Sequence, residues 1–114
     1  MNIQIIGTKK CSDTKKTMRF FKERAVQFHF LDLNEKPLSK GELTKISAKL
    51  GKDHIIDTES KEYKNKGLAW MDYDPEQEIL ENNLLLKTPI VRNGNQITAG
   101  FSQKIWTQWI KEGK

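Results

Sequence analysis

Ile3-Gln4-Ile5-Ile6-Gly7-Thr8-Lys9-Lys10-Cys11-Ser12-Asp13-Thr14-Lys15-Lys16 is the stretch on which the fold turns. Residues 2–6 alternate, then run apolar, are rich in β-branched side chains and stop at Gly7, which predicts a strand followed by a turn. From Ser12 to Arg24 the period changes. Met18, Phe21 and Ala25 fall on one face with Phe20 beside them, while Lys15, Lys16, Arg19, Lys22 and Glu23 fall mostly elsewhere. That predicts a helix packed by one stripe, with Ser12 or Asp13 as its N-cap. Cys11 therefore stands between the first strand and the first helix, at the helix entrance.

Working outward, residues 26–33 alternate strictly at first and predict a second strand, with His29 on the face opposite Phe28 and Phe30. Pro37 and Ser39 open another helix; Ser39 and Glu42 have capping-box spacing, and Leu43, Ile46, Ala48 and Leu50 supply a stripe that ends at Gly51. Between 52 and 83 the pattern predicts helical pieces near 59–66 and 75–82. The second starts from Asp74 and Pro75, and Trp70, Met71 and Tyr73 are expected to anchor the connection. Residues 89–92 and 96–99 then flank Asn93-Gly94-Asn95, a strong hairpin signal. Ser102 is expected to cap a last helix carrying Ile105, Trp106, Trp109 and Ile110 on one side. The first strand–helix–strand unit implies parallel pairing and the late hairpin antiparallel pairing. The result is an α/β protein: a mixed four-stranded sheet packed by helices, with a helical insertion between strands two and three, as in a thioredoxin-like fold.

The chain has 114 residues, the size of one compact domain, and residues 1–114 are expected to form a single one. Charged residues make up 31% of it and no apolar run approaches a membrane span, so no membrane association is expected. The amino terminus lacks the basic region, longer apolar region and cleavage site of a signal peptide, and the expected location is the cytoplasm. The net charge of +5 is spread among interleaved acids, such as Glu59, Lys61, Glu62 and Lys64. It reads as a solvated surface, and no direct nucleic-acid partner is expected. His29 and His54 have no companion ligands at metal spacing, so no metal is expected.

One cysteine cannot close an internal disulfide, so its thiol is either packing or chemistry. The first N–H groups of a helix have no intrahelical partner and carry partial positive charge, which favours a thiolate over a thiol. Lys9, Lys10, Lys15 and Lys16 are expected to add positive charge, with Asp13 opposing them. Such sites lower a cysteine pKa from about 8.5 toward roughly 3.5–7.5. Cys11 is the candidate nucleophile.

The segment from Ile5 to Lys16 resembles the arsenate reductase (ArsC)/Spx family, with a loop cysteine after strand one and basic residues four and five positions beyond it. Further matches are Asp32-Leu33, Leu43 to Gly51, Glu62-Tyr63-Lys64, Pro89-Ile90-Val91, Asn93-Gly94 and Gly100-Phe101. The resemblance implies a thioredoxin fold in which Cys11 attacks an oxidised sulfur or an oxyanion. It also implies that Thr88-Pro89 carries a cis peptide beside the active cysteine. Ser12, Thr14, Lys15, Lys16 and Arg92 become the candidate substrate- or anion-binding residues, with charge and free N–H groups at the helix start.

The match departs at the arginines by which arsenate reductases of this type hold their oxyanion. Thr88 stands before the strand-three proline, residues 57–60 hold no arginine, and Phe101 follows the strand-four glycine. Lysine does not replace arginine's planar fork, which weighs against arsenate as substrate. Thr14 replaces the second cysteine of a Cys-x-x-Cys switch. The expected function is thus a reductase-like protein with one thiol, no bound cofactor, and glutathione or a glutaredoxin-like protein as external thiol, acting as a monomer. The alternative is an Spx-like, non-enzymatic regulator that binds RNA polymerase and senses oxidation through Cys11.

Overall fold

The computed structural model describes residues 1–113. The strands are β1 (Ile3–Gly7), β2 (Phe28–Asp32), β3 (Ile90–Asn93) and β4 (Gln96–Ala99), and the helices are α1 (Ser12–Glu23), α2 (Lys40–Leu50), α3 (Lys61–Lys66), α4 (Pro75–Glu81) and α5 (Gln103–Glu112). The four strands form one sheet in the order β2-β1-β3-β4. β1 pairs parallel with β2 and antiparallel with β3, and β3 pairs antiparallel with β4. This is the mixed sheet of a thioredoxin-like fold.

The chain divides into two compact units: Met1–Asp32 with the chain from Thr88 onward, and Leu33–Lys87. The helical insertion is therefore a unit with an interior of its own. In the sheet-bearing unit, Ile3, Ile5 and Val91 share a sheet face with Phe20 and Phe21 of α1 and Trp106 and Trp109 of α5. Trp106 is fully buried, and its indole N–H donates to Thr98 Oγ1 at 2.9 Å, so the ring enters the core without an orphan donor. The insertion closes over Leu38, Leu43, Ile46, Ile55, Leu68, Ile79 and Leu85.

Helix boundaries follow local chemistry. Ser39 and Glu42 form the predicted capping box of α2. Asp74 caps α4, accepting from the Glu76 N–H, with Pro75 in its first turn. α1 ends in a Schellman motif: Val26 N–H reaches Phe21 O at 2.9 Å and Ala25 N–H reaches Lys22 O at 3.1 Å. Ala25 thereby takes a left-handed φ of 56°, outside the helix and exposed, and does not join the packed stripe expected of it.

Several expected stripes shift by a residue. α1 buries Thr14, Thr17, Phe20 and Phe21, with Met18 only half-buried, because the small threonines let the helix lie close to the sheet. α2 buries Ser47 beside Leu43 and Ile46 and leaves Ala48 exposed, since Ser47 is one full turn from Leu43. Ile105 on α5 is 49% exposed. Trp70 and Met71 do not anchor the insertion: they are 92% and 51% exposed, and the buried anchor of their short 3₁₀ turn is Leu68. The β3–β4 turn is Gly94-Asn95, with Asn93 paired to Gln96 inside the ladder and Gly94 taking the positive φ, 60°.

Candidate active site around Cys11

Cys11 is itself the N-cap of α1, with extended backbone (φ −72°, ψ 119°), so neither Ser12 nor Asp13 holds that position. The Lys15 N–H donates to the Cys11 carbonyl at 3.1 Å, which closes the first helical turn. The Cys11 N–H is held by Thr8 O at 3.2 Å, turning the loop after β1. The thiol makes no capping hydrogen bond, and the free N–H groups that a thiolate there could accept are those of the second and third helical residues, Asp13 and Thr14. Sequence position alone thus delivers a half-buried sulfur to the helix entrance.

The second wall comes from the start of β3. Thr88 Oγ1 donates to Cys11 Sγ at 3.2 Å, and as a thiol the sulfur faces the Thr88 carbonyl at 3.8 Å. The Thr88-Pro89 peptide is cis, as the resemblance implies. The Pro89 carbonyl accepts from the Gly100 N–H at 2.8 Å, which ties this corner to the end of β4. The loop after β1 and the corner before β3 meet here because β1 and β3 pair antiparallel with Ile6 opposite Ile90.

Burial of the sulfur pulls the Cys11 pKa up, but the balance lowers it. The opposing causes are the hydroxyls of Thr14 and Thr88 and the backbone N–H groups of Thr14 and Asp13. Hydrogen bonds are thus the causes that lower it, and the charges of the flanking lysines do not figure among them. Thr14 Oγ1 is buried and has no hydrogen-bond partner while Cys11 is a thiol. Its effect on the pKa and its lack of a partner agree if the bond is made to the thiolate. A neutral S–H is a weak acceptor, whereas an ionised sulfur accepts several donors. Thr14 is also fitted tightly: a Cβ on Gly7 would come within 2.4 Å of its hydroxyl, a close packing of strand on helix that sequence reasoning took for a turn.

The other expected residues divide. Ser12, Lys15 and Lys16 occupy the first turns of α1 with exposed side chains, near the sulfur in sequence but outside its hydrogen bonds. Lys16 lines a shallow groove of about 280 Å³ with Arg19 and Phe101. Phe101, at the place of a family arginine, packs edge-on against Trp106 with ring centroids 5.2 Å apart, an aromatic anchor in place of a charge. Arg92 is not part of the Cys11 constellation. It pairs with Gln4 in the middle of the β1–β3 ladder and lines a different concavity. It lies four residue steps beyond Thr88 along extended chain, about 13 Å at 3.3 Å per step. Antiparallel register, not proximity in sequence to Pro89, sets its place. Among the described residues, no group of three histidine, cysteine, aspartate or glutamate side chains is placed to hold a metal.

The family model described as "ArsC family" matches residues 6–109. The uncharacterized protein YusI of Bacillus subtilis (strain 168) is 26% identical over 110 residues, covering 90% of this chain and 93% of its own. Among solved structures, the YFFB protein superposes with a TM-score of 0.84 at 18% identity, covering 93% of this chain and 96% of the other. An arsenate reductase from Vibrio cholerae superposes with a TM-score of 0.80 at 20% identity, covering 95% and 97%. At these identities the structural likeness is one of fold.

Proposed function

The chain belongs to the ArsC family, and we propose that it works there as a single-cysteine thiol reductase coupled to an external thiol, with glutathione the first candidate. The observation that carries this reading is a half-buried sulfur at the start of α1, bonded by the Thr88 hydroxyl beside a cis-proline and lowered in pKa. In the first step the Cys11 thiolate attacks the glutathione sulfur of a mixed disulfide R–S–SG. The Cys11–SG bond forms, the R–S bond to that sulfur breaks, and RS⁻ leaves and takes a proton from water. A second glutathione thiolate then attacks the glutathione sulfur on Cys11, releasing GSSG and restoring the thiolate. One disulfide is consumed and one is made, and no second protein cysteine is needed. Arsenate is the less suited substrate, because hydroxyls and an aromatic ring stand at two of the places where bidentate arginines would hold it.

The test is a glutathione-coupled assay on a small glutathione mixed disulfide, comparing wild type with Cys11→Ser. Turnover by the wild type that Cys11→Ser abolishes supports the reading. Absence of turnover with both glutathione and a glutaredoxin overturns it.

A second reading, a non-enzymatic regulator that binds RNA polymerase, is favoured by one observation. Trp70 and Met71, adjacent in the chain, present large apolar side chains to solvent at 92% and 51% exposure, more than Leu84, the other exposed large apolar residue of the insertion among those described. Such exposure is characteristic of partner-binding surfaces. Retention of polymerase subunits by the immobilised protein, lost in Trp70→Ala and kept in Cys11→Ser, is the result this reading requires.

A further inference from the structure

The open end of the sheet carries a row of polar side chains that the Cys11 chemistry does not use. Register places His29 of β2 opposite Gln4 of β1, and Gln4 opposite Arg92 of β3. Paired residues point to the same side of a sheet, and neighbouring strands lie about 4.8 Å apart, so the imidazole and the guanidinium rise on either side of the Gln4 amide with backbones about 10 Å apart. Together with Asn2 and Gly94 they line a concavity of about 380 Å³. The space beside Gly94 at its rim is open.

Three features set this row apart from an ordinary polar sheet face. Its side chains offer N–H donors at every position, from guanidinium, imidazole and two carboxamides, and no acid lines it. Arg92 is half-buried, and among the described residues it has no carboxylate partner. The donors of its planar guanidinium fork are therefore available to an anion. Finally, on this face of the ladder the Gln4–Arg92 pair follows directly on the buried Ile6–Ile90 pair, so apolar surface gives way to hydrogen-bond donors within one repeat.

We propose that Gln4, His29 and Arg92 form a binding site for the oxyanion group of a small molecule, a carboxylate or a phosphate monoester, separate from the Cys11 site. The planar fork of Arg92 takes two oxygens of the anion, the His29 N–H closes on it from the other side, and the Gln4 and Asn2 amides meet polar atoms beside it. The volume exceeds that of a bare anion and is in the range of small-ligand sites, so the ligand brings a body as well as a charged group. This inference does not depend on what Cys11 reduces.

The experiment is an amide-resolved NMR titration of the full chain with inorganic phosphate in one arm and succinate in the other. Saturating shifts at Gln4, His29, Arg92 and Gly94 are expected, and the stronger-binding arm identifies the anion class. Arg92→Gln should weaken binding at least about tenfold, equivalent to about 1.4 kcal/mol. Arg92→Lys, which keeps the charge and loses the fork, should fall between, and Lys45→Ala, at an exposed position on α2, should bind as wild type. Thermal melts show whether the variants are folded, and His29→Gln supplies a second variant should Arg92→Gln fail to fold. No saturable shift with either anion up to about 50 mM, a range that would detect even very weak sites, overturns the proposal. So does unchanged affinity in Arg92→Gln, or a shift pattern centred on Cys11 to Thr14.

Discussion

At the scale of single residues, the thiol is governed by two hydroxyls and two backbone amides. Thr88→Val removes the 3.2 Å donor and keeps the side chain's shape, while Thr14→Val removes a hydroxyl that only the thiolate can use. Each substitution should raise the Cys11 pKa, and the pair should raise it more than either alone; the pH dependence of iodoacetamide alkylation measures this. An unaltered profile in both single variants would return the credit to the lysines. The lowered pKa also has a consequence for stability. A group with a depressed folded pKa contributes stability that is complete above its unfolded value, about 8.5 for cysteine, and that is lost as pH falls through the folded pKa. The stability advantage of wild type over Cys11→Ser, measured by urea unfolding, should therefore widen as pH rises through that window and level off above it. A gap that narrows toward alkaline pH would contradict the sign.

At the scale of elements, the end of α1 shows where local chemistry and geometry disagree. The Schellman motif calls for a left-handed residue, a place usually given to glycine, and this chain puts Ala25 there at φ 56°. Ala25→Gly removes the Cβ strain at an exposed position. The strain costs roughly 1–2 kcal/mol, and glycine's greater backbone entropy in the unfolded chain gives part of the gain back. A net stabilisation of about 0.5–1 kcal/mol is expected from denaturant unfolding. Elements whose determinants are local are legible in the sequence itself: Ser39 with Glu42, Asp74 with Pro75, and Cys11 between a strand and a helix. Elements without a period are not. The single 3₁₀ turn at Leu68–Trp70 has no repeating face, so residue order does not tell Leu68 and Trp70 apart as inward and outward. Arg92 is legible as a cation able to hold an anion but not in its placement. Its neighbours Gln4 and His29 are set by register between strands far apart in sequence.

At the scale of the whole molecule, the chain closes two interiors. Cys11, Thr14 and Thr88 all belong to the sheet-bearing unit, while Leu33–Lys87 packs Leu43, Ile46, Ile55, Leu68 and Ile79 by itself. Compact units with their own buried side chains tend to open as separate cooperative units in native-state hydrogen exchange. Ile46→Val deletes one methylene from the interior of the insertion, at a cost of about 0.5–1.5 kcal/mol. Exchange should accelerate at the amides of Leu43, Ile55 and Ile79 by about twofold to tenfold, following the cost of the lost methylene. It should change little at Ile5, Ile6 and Val91, whose hydrogen bonds belong to the sheet. The alkylation profile of Cys11 should also be unchanged, because every group that lowers its pKa lies outside the insertion. Uniform acceleration across both sets of amides would mean that the two interiors open as one, and a shifted thiol pKa would mean that the insertion helps to set the reactivity of the cysteine.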